Sequence, residues 1–167
     1  MSFHLRDVRP DDLDAVLRLN QDARPAVSDT TPDALSWFAD VSVWFKVAED
    51  EGGELGGFLI ALDPGVDYGS MNYAWFTARY DSFAYVDRIV IAQHARGAGL
   101  GRRFYEELEA FARPRAPWIL CEVNTRPRNE ISLAFHDRLG FEAVGEQGTE
   151  GGSKSVVMLR KAVSAAP

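Results

Sequence analysis

A single cysteine, Cys121, in a chain of 167 residues has no partner for an intramolecular disulfide. Three scattered histidines, His4, His94 and His136, show no metal-ligand spacing. A disulfide scaffold and a structural zinc site are thereby excluded, and no metal is expected. Long apolar runs are missing too. No stretch approaches the roughly 18 residues of a spanning helix, and the opening Ser2-Phe3-His4-Leu5-Arg6-Asp7 lacks the apolar core of a signal peptide. A cytoplasmic protein without a membrane partner is the expectation. Positive charge is in short supply: 18 Lys plus Arg against 25 Asp plus Glu give a net charge of -7, the wrong sign for neutralising phosphates along a duplex, so no nucleic-acid partner is expected. What is present, 46% hydrophobic and 26% charged residues, sits near the globular average and fills one core of ordinary size. A single domain over 1–162 is expected, with a disordered tail over 163–167.

Phe3 to Val8 reads as a strand, and Pro10-Asp11-Asp12 opens a helix whose Leu13, Val16 and Leu17 share one face. A second helix is expected from about Pro32 to Ala39, with Thr30-Thr31 as caps. Trp44 to Glu49 and Leu55 to Leu62 read as strands joined by a turn at Gly52-Gly53. Residues 63–81 then form a long connection rich in aromatics: Tyr68, Tyr73, Trp75, Phe76 and Tyr80. Phe83 to Ile91 is apolar on both faces, as a covered central strand would be. A helix from Leu100 ends before Pro114, and Trp118 to Asn124 is another apolar strand. A last helix near 130–139 stops at Gly140, and Phe141 to Gly145 and Ser155 to Leu159 close a mixed α/β sheet.

The most informative stretch is Arg96-Gly97-Ala98-Gly99-Leu100-Gly101-Arg102-Arg103, between the buried strand and an amphipathic helix. Glycines let successive backbone N–H groups face a ligand, and the first turn of the helix adds unpaired donors and the positive end of its dipole. With three arginines, this suits a pyrophosphate. A Walker A loop would need Gly-Lys followed by Ser or Thr, which is absent. A dinucleotide fingerprint would need a third glycine where Arg102 stands, which disfavours an oxidoreductase domain even though Glu122 falls about 20 residues on.

Arg96-x-x-Gly99-x-Gly101 resembles the acetyl-CoA loop of the GNAT acetyltransferase superfamily. The elements that follow keep the order of that family: Trp118-Ile119-Leu120-Cys121-Glu122-Val123-Asn124, then Asn129 leading into Phe135-His136-Asp137-Arg138-Leu139-Gly140-Phe141. The resemblance implies a mixed, mostly antiparallel sheet flanked by helices and splayed between its central strands, with acetyl-CoA in the gap. It also implies acetyl transfer to a primary amine of a small-molecule or peptide acceptor. Backbone groups of Ile89, Val90 and Ile91 would bind the acetyl and pantetheine portion, Gly97 to Arg102 would cradle the pyrophosphate, and Asn129 would reach the pantetheine from the other half.

Direct attack of an amine on a thioester needs a proton acceptor, an oxyanion donor and a proton for the thiolate. Glu122, on an otherwise apolar strand, is a candidate base, and its place resembles that of a proposed base in acetyltransferases of ribosomal-protein N-termini. Asp87 competes for the role, with Arg88 pointing to the other face. His136 stands where many members of the family carry tyrosine, and an imidazolium there could protonate the thiolate. The missing tyrosine leaves a non-catalytic acetyl-CoA sensor as the alternative. Tyr73, Trp75 and Phe76 are candidates to cover the acceptor site, and the same aromatics would equally serve a homodimer surface.

Overall fold

The computed structural model describes residues 2–165. It contains seven strands in the order β1-β2-β3-β4-β5-β7-β6 and five α-helices. Two compact units divide the chain: one runs through Leu62 and resumes from Val86 to Leu108, and the other comprises Asp63–Tyr85 and the chain from Glu109 on.

In the first unit, β1 (Phe3–Asp7) lies antiparallel to β2 (Trp44–Asp50), with Leu5 opposite Ala48. Strand β2 is antiparallel to β3 (Leu55–Leu62), with Val47 opposite Phe58. Every residue of β3 is buried, as its unbroken apolar sequence requires. A side chain at Gly57 would stand 2.6 Å from the carbonyl oxygen of Val90 on β4 (Ala84–Ile91), so only glycine allows β3 and β4 this approach. Helix α1 (Leu13–Asp22) buries Val16, and α2 (Pro32–Val41) buries Leu35 and Phe38. The expected cap is present: Thr31 Oγ1 accepts the Ala34 N–H at 3.1 Å, ahead of a proline in the first turn. Arg6 joins three segments, bidentate to Asp12 at 2.8 and 2.9 Å and donating Nε to Glu49 at 2.7 Å. Its hydrogen bonds hold the Asp12 carboxyl below the usual carboxylate range against the opposing effect of burial.

The second unit corrects one expectation. Residues 63–81 are not an open connection, because Met71–Thr77 folds into a short helix, α3, capped where Ser70 Oγ accepts the Tyr73 N–H at 3.2 Å. Tyr73 and Phe76, three apart on that helix, are buried. Helix α4 (Leu100–Ala112) leads to β5 (Trp118–Arg126), which takes the first two residues of β4 in parallel, Ala84 opposite Ile119 and Tyr85 opposite Leu120. Helix α5 (Glu130–Arg138) ends before Gly140, whose φ of +95° is the left-handed stop foreseen for it. Strands β6 (Glu142–Thr149) and β7 (Lys154–Ala162) complete the sheet, β7 antiparallel to both β5 and β6.

The start of the expected disordered tail is tied down. Val163 donates its N–H to Pro117 at 2.9 Å and Ser164 donates to Glu109 at 2.9 Å, while 166 and 167 lie outside the described residues. Among the described residues no helix is long and apolar enough to cross a membrane.

Candidate active site

The glycine turn lies in the first unit, between β4 and α4. Gly97 and Gly99 have φ of +85° and +72°, a region that residues with a Cβ rarely adopt, and beyond the adjoining residues no protein atom would lie within 4 Å of a Cβ at either. The turn therefore presents bare backbone to open space. Leu100, 2% exposed, anchors it to the core, while Ala98 and Gly101 carry no bulk across it. Thirteen residues of α4 follow, so the unpaired N–H groups and positive dipole end of a full helix face the same place. Arg96 and Arg102 are exposed beside it. Arg103 leaves the cluster, donating to the Phe3 carbonyl at 2.8 Å. This turn fits an acetyl-CoA pyrophosphate: donors without side chains in front of them, flanked by two solvent-facing guanidinium groups.

Asp87 and Arg88, expected on opposite faces of β4, bond to each other. Arg88 Nε donates to Asp87 Oδ2 at 2.7 Å, with the two side chains 8% and 4% exposed. The two-residue alternation fixes where a Cβ points, but arginine is long enough to curl back to its neighbour. Arg88 Nη1 also donates to Asn20 Oδ1 at 3.0 Å and to the Ser28 carbonyl at 3.2 Å. Asn20 is itself fully buried and donates Nδ2 to the Ser28 carbonyl at 2.9 Å. Asp87 is thus the counter-ion of a buried guanidinium that fastens the segment after α1.

Glu122 lies in the second unit, half-buried on β5. The Tyr85 hydroxyl, at 2.6 Å from Oε1 and 3.0 Å from Oε2, donates to the carboxylate. The parallel register accounts for the meeting: Tyr85 is opposite Leu120, and Glu122, two residues further, shares its face. The Tyr85 ring is fully buried and locked by Tyr73 and Phe76, at centroid distances of 5.4 and 5.7 Å. Tyr85 is therefore a further candidate for the site, one that sequence reasoning missed. Its only signal was a hydroxyl in an apolar strand, and nothing local could say that it would face a residue 37 positions on. Tyr73 is fixed in turn by donating to the Asp63 carbonyl at 2.6 Å, and burial pushes its phenol pKa up, keeping it a neutral donor.

Two further candidates, His136 and Asn129, lie on or next to α5. His136 is 2% exposed, and burial holds its pKa below the ordinary histidine value. Its Nδ1 lies 2.8 Å from the Ser132 carbonyl, which can only accept, so the ring carries its proton at Nδ1. Burial thus disfavours the imidazolium expected as proton donor, and the Nδ1 proton is directed to the backbone. Asn129 caps α5, its Oδ1 accepting the Ser132 N–H at 3.1 Å. Trp75 lies against β6: a side chain at Gly145 would stand 2.4 Å from its ring. The Arg79 guanidinium covers the indole at 3.8 Å from its centroid, and Gln147 of β6 donates to Asn72 at 2.7 Å. Among the described residues no group of three or more His, Cys, Asp or Glu side chains is placed to hold a metal ion.

The bare glycine turn before a helix and the sheet order belong to one class of fold. The acetyltransferase (GNAT) family model matches residues 13–141, and the chain belongs to that family. Over 64 residues it is 42% identical to the 5-NmdU N-acetyltransferase of Pseudomonas phage PaMx11, an alignment covering 38% of this chain and 43%, less than half, of that protein. Among solved structures, Ard1 from Thermoplasma volcanium superposes with a TM-score of 0.79 at 16% identity, covering 99% of this chain and 100% of the other. Arabidopsis thaliana NAA60 in complex with acetyl-CoA does so with a TM-score of 0.75 at 15% identity, covering 97% and 99%. At such identities the likeness is one of fold.

Proposed function

We propose that this protein transfers the acetyl group of acetyl-CoA to a primary amine on a small-molecule or peptide acceptor. The observation that carries the reading is the glycine turn, bare at Gly97 and Gly99 and followed by a full helix, in a chain of the acetyltransferase family. Bound acetyl-CoA would supply an activated carbonyl and a thiolate leaving group. In this reading the N–H groups from Gly97 to Arg102 hold the pyrophosphate, and backbone groups of Ile89, Val90 and Ile91 hold the acetyl end, one N–H serving as oxyanion donor. Asn129 Oδ1 is occupied as a helix cap, so its part toward the pantetheine falls to its remaining amide donors.

Glu122 is the base that accepts the amine proton. What supports this choice over Asp87 is geometry: Glu122 accepts from a neutral phenol, whereas Asp87 is bonded to a buried guanidinium. Tyr85 positions the carboxylate, and Tyr73 and Phe76 act through Tyr85 rather than by touching the acceptor. Trp75 is the aromatic left for the acceptor side. The thiolate needs modest help, since a free thiol titrates near about 8.5, and water serves as its proton source.

The test is calorimetry of acetyl-CoA binding, followed by thiol release with a panel of amines that includes the relative's 5-NmdU. Gly99→Val forces a branched side chain into a left-handed conformation in front of the donors. At least a tenfold loss of acetyl-CoA affinity, with the fold intact by circular dichroism, is expected. Unchanged affinity in that variant overturns the assignment of the turn. Tight binding without thiol release from any amine overturns the transferase in favour of a sensor.

A further inference from the structure

A cavity of about 320 Å³ lies in the second unit, outside the residues assigned above, with Asp63, Ser82, Phe83, Ala84, Phe111 and Arg115 in its wall. Its floor is apolar: Phe83, Ala84 and Ala112 are each less than 5% exposed. One pair of opposite charges stands in its wall, Arg115 Nη2 donating to Asp63 Oδ2 at 3.1 Å, both side chains 44% exposed. The Arg115 guanidinium also covers the Phe111 ring at 4.6 Å from its centroid. The volume is at the low end of the roughly 300–1,000 Å³ of small-molecule sites.

The charge arrangement selects among ligands. A simple anion gains Arg115 but meets the Asp63 carboxylate, and a simple amine gains Asp63 but meets the guanidinium. A ligand carrying both charges on adjacent atoms replaces one half-exposed ion pair with two. We propose that this cavity binds an apolar α-amino acid, its carboxylate on Arg115, its ammonium on Asp63 and its side chain over Phe83, Ala84 and Phe111. Ala84 adjoins Tyr85, and the Asp63 carbonyl holds Tyr73, so the occupant sits next to the groups that position Glu122.

The proposal does not rest on acetyl transfer and is tested without acetyl-CoA. L-phenylalanine, 3-phenylpropionate and 2-phenylethylamine are titrated calorimetrically against the full chain and two surface variants, with circular dichroism and the melting temperature as the control for an intact fold. L-phenylalanine should bind about tenfold more tightly than either single-charge analogue. Arg115→Gln should weaken L-phenylalanine at least tenfold and strengthen 2-phenylethylamine, because the competing guanidinium is gone. Asp63→Asn should weaken L-phenylalanine and strengthen 3-phenylpropionate, because the competing carboxylate is gone. Absence of L-phenylalanine binding, equal binding of the three compounds, or binding that both variants leave unchanged overturns the proposal.

Discussion

Replacing Asp87 by asparagine separates structural from catalytic carboxylates. The change keeps the size of the side chain and leaves an amide oxygen for Arg88 Nε, now at 2.7 Å from the carboxylate, but it removes the negative charge. The guanidinium stays buried, 8% exposed, with Asn20 and the Ser28 carbonyl as neutral acceptors. Deleting a partner of a buried pair outright costs about 3–5 kcal/mol, and a hydrogen bond to a charged group contributes about 1.5–3 kcal/mol. Keeping a neutral acceptor places the loss near 2 kcal/mol. For a chain of this size each kcal/mol moves the melting temperature by about 2–4 °C, so Asp87→Asn should melt about 4–8 °C lower.

Glu122→Gln should behave in the opposite way. Its amide oxygen still accepts from Tyr85, so the melting temperature stays close to that of the parent, but proton acceptance is lost. A base works only when ionised, so parental turnover falls as pH falls through an acid limb. Glu122→Gln should abolish that limb and lose most activity above it, whereas Asp87→Asn should keep it. Thermal melts and pH–rate profiles of both variants, read by thiol release, give the answer. An Asp87→Asn variant that melts with the parent and has lost the limb would refute the assignment of the buried pair as structural.

Burial lowers the His136 pKa, so below the ordinary value of 6.5 the unfolded chain takes up a proton that the folded one does not. Its contribution is complete above that value and is lost as pH falls toward the folded pKa; thermal melts from pH about 7.5 to 5 should therefore show the parent losing more stability than His136→Phe, and parallel curves would contradict this. Trp75→Ala removes the indole that lies on Gly145 under Arg79, and should cost about 2 kcal/mol in urea unfolding, below the cost for a fully buried tryptophan. The same variant should raise the acceptor's Michaelis constant with acetyl-CoA affinity unchanged, and an effect confined to acetyl-CoA would remove Trp75 from the acceptor side.

What the sequence revealed follows the range of the interactions that decide each feature. Strand β3 and the glycine turn were readable in full, because an unbroken apolar run and closely spaced glycines act within a few residues. Helix α3 was not, because seven residues rich in aromatics carry no long periodicity, and its stability comes from burying Tyr73 and Phe76. The alternation rule put Asp87 and Arg88 on opposite faces but said nothing of how far an arginine reaches. Tyr85 and Glu122 meet through a parallel register, which no local pattern encodes.

These long-range contacts also account for the aromatic excess of residues 63–81, the stretch that precedes the segment carrying the family motifs. A phenol that orients a carboxylate must itself be held. Tyr73 and Phe76 fix the ring of Tyr85, the Asp63 carbonyl fixes Tyr73, and Trp75 with Asn72 fastens α3 to β6. Each of these links is apolar packing or a neutral hydrogen bond. Asp87, on a strand just as well buried, instead accepts from a charged partner, Arg88 Nε, 2.7 Å away. The two carboxylates thus meet different donors, a guanidinium at Asp87 and at Glu122 a phenol whose ring the aromatic segment holds.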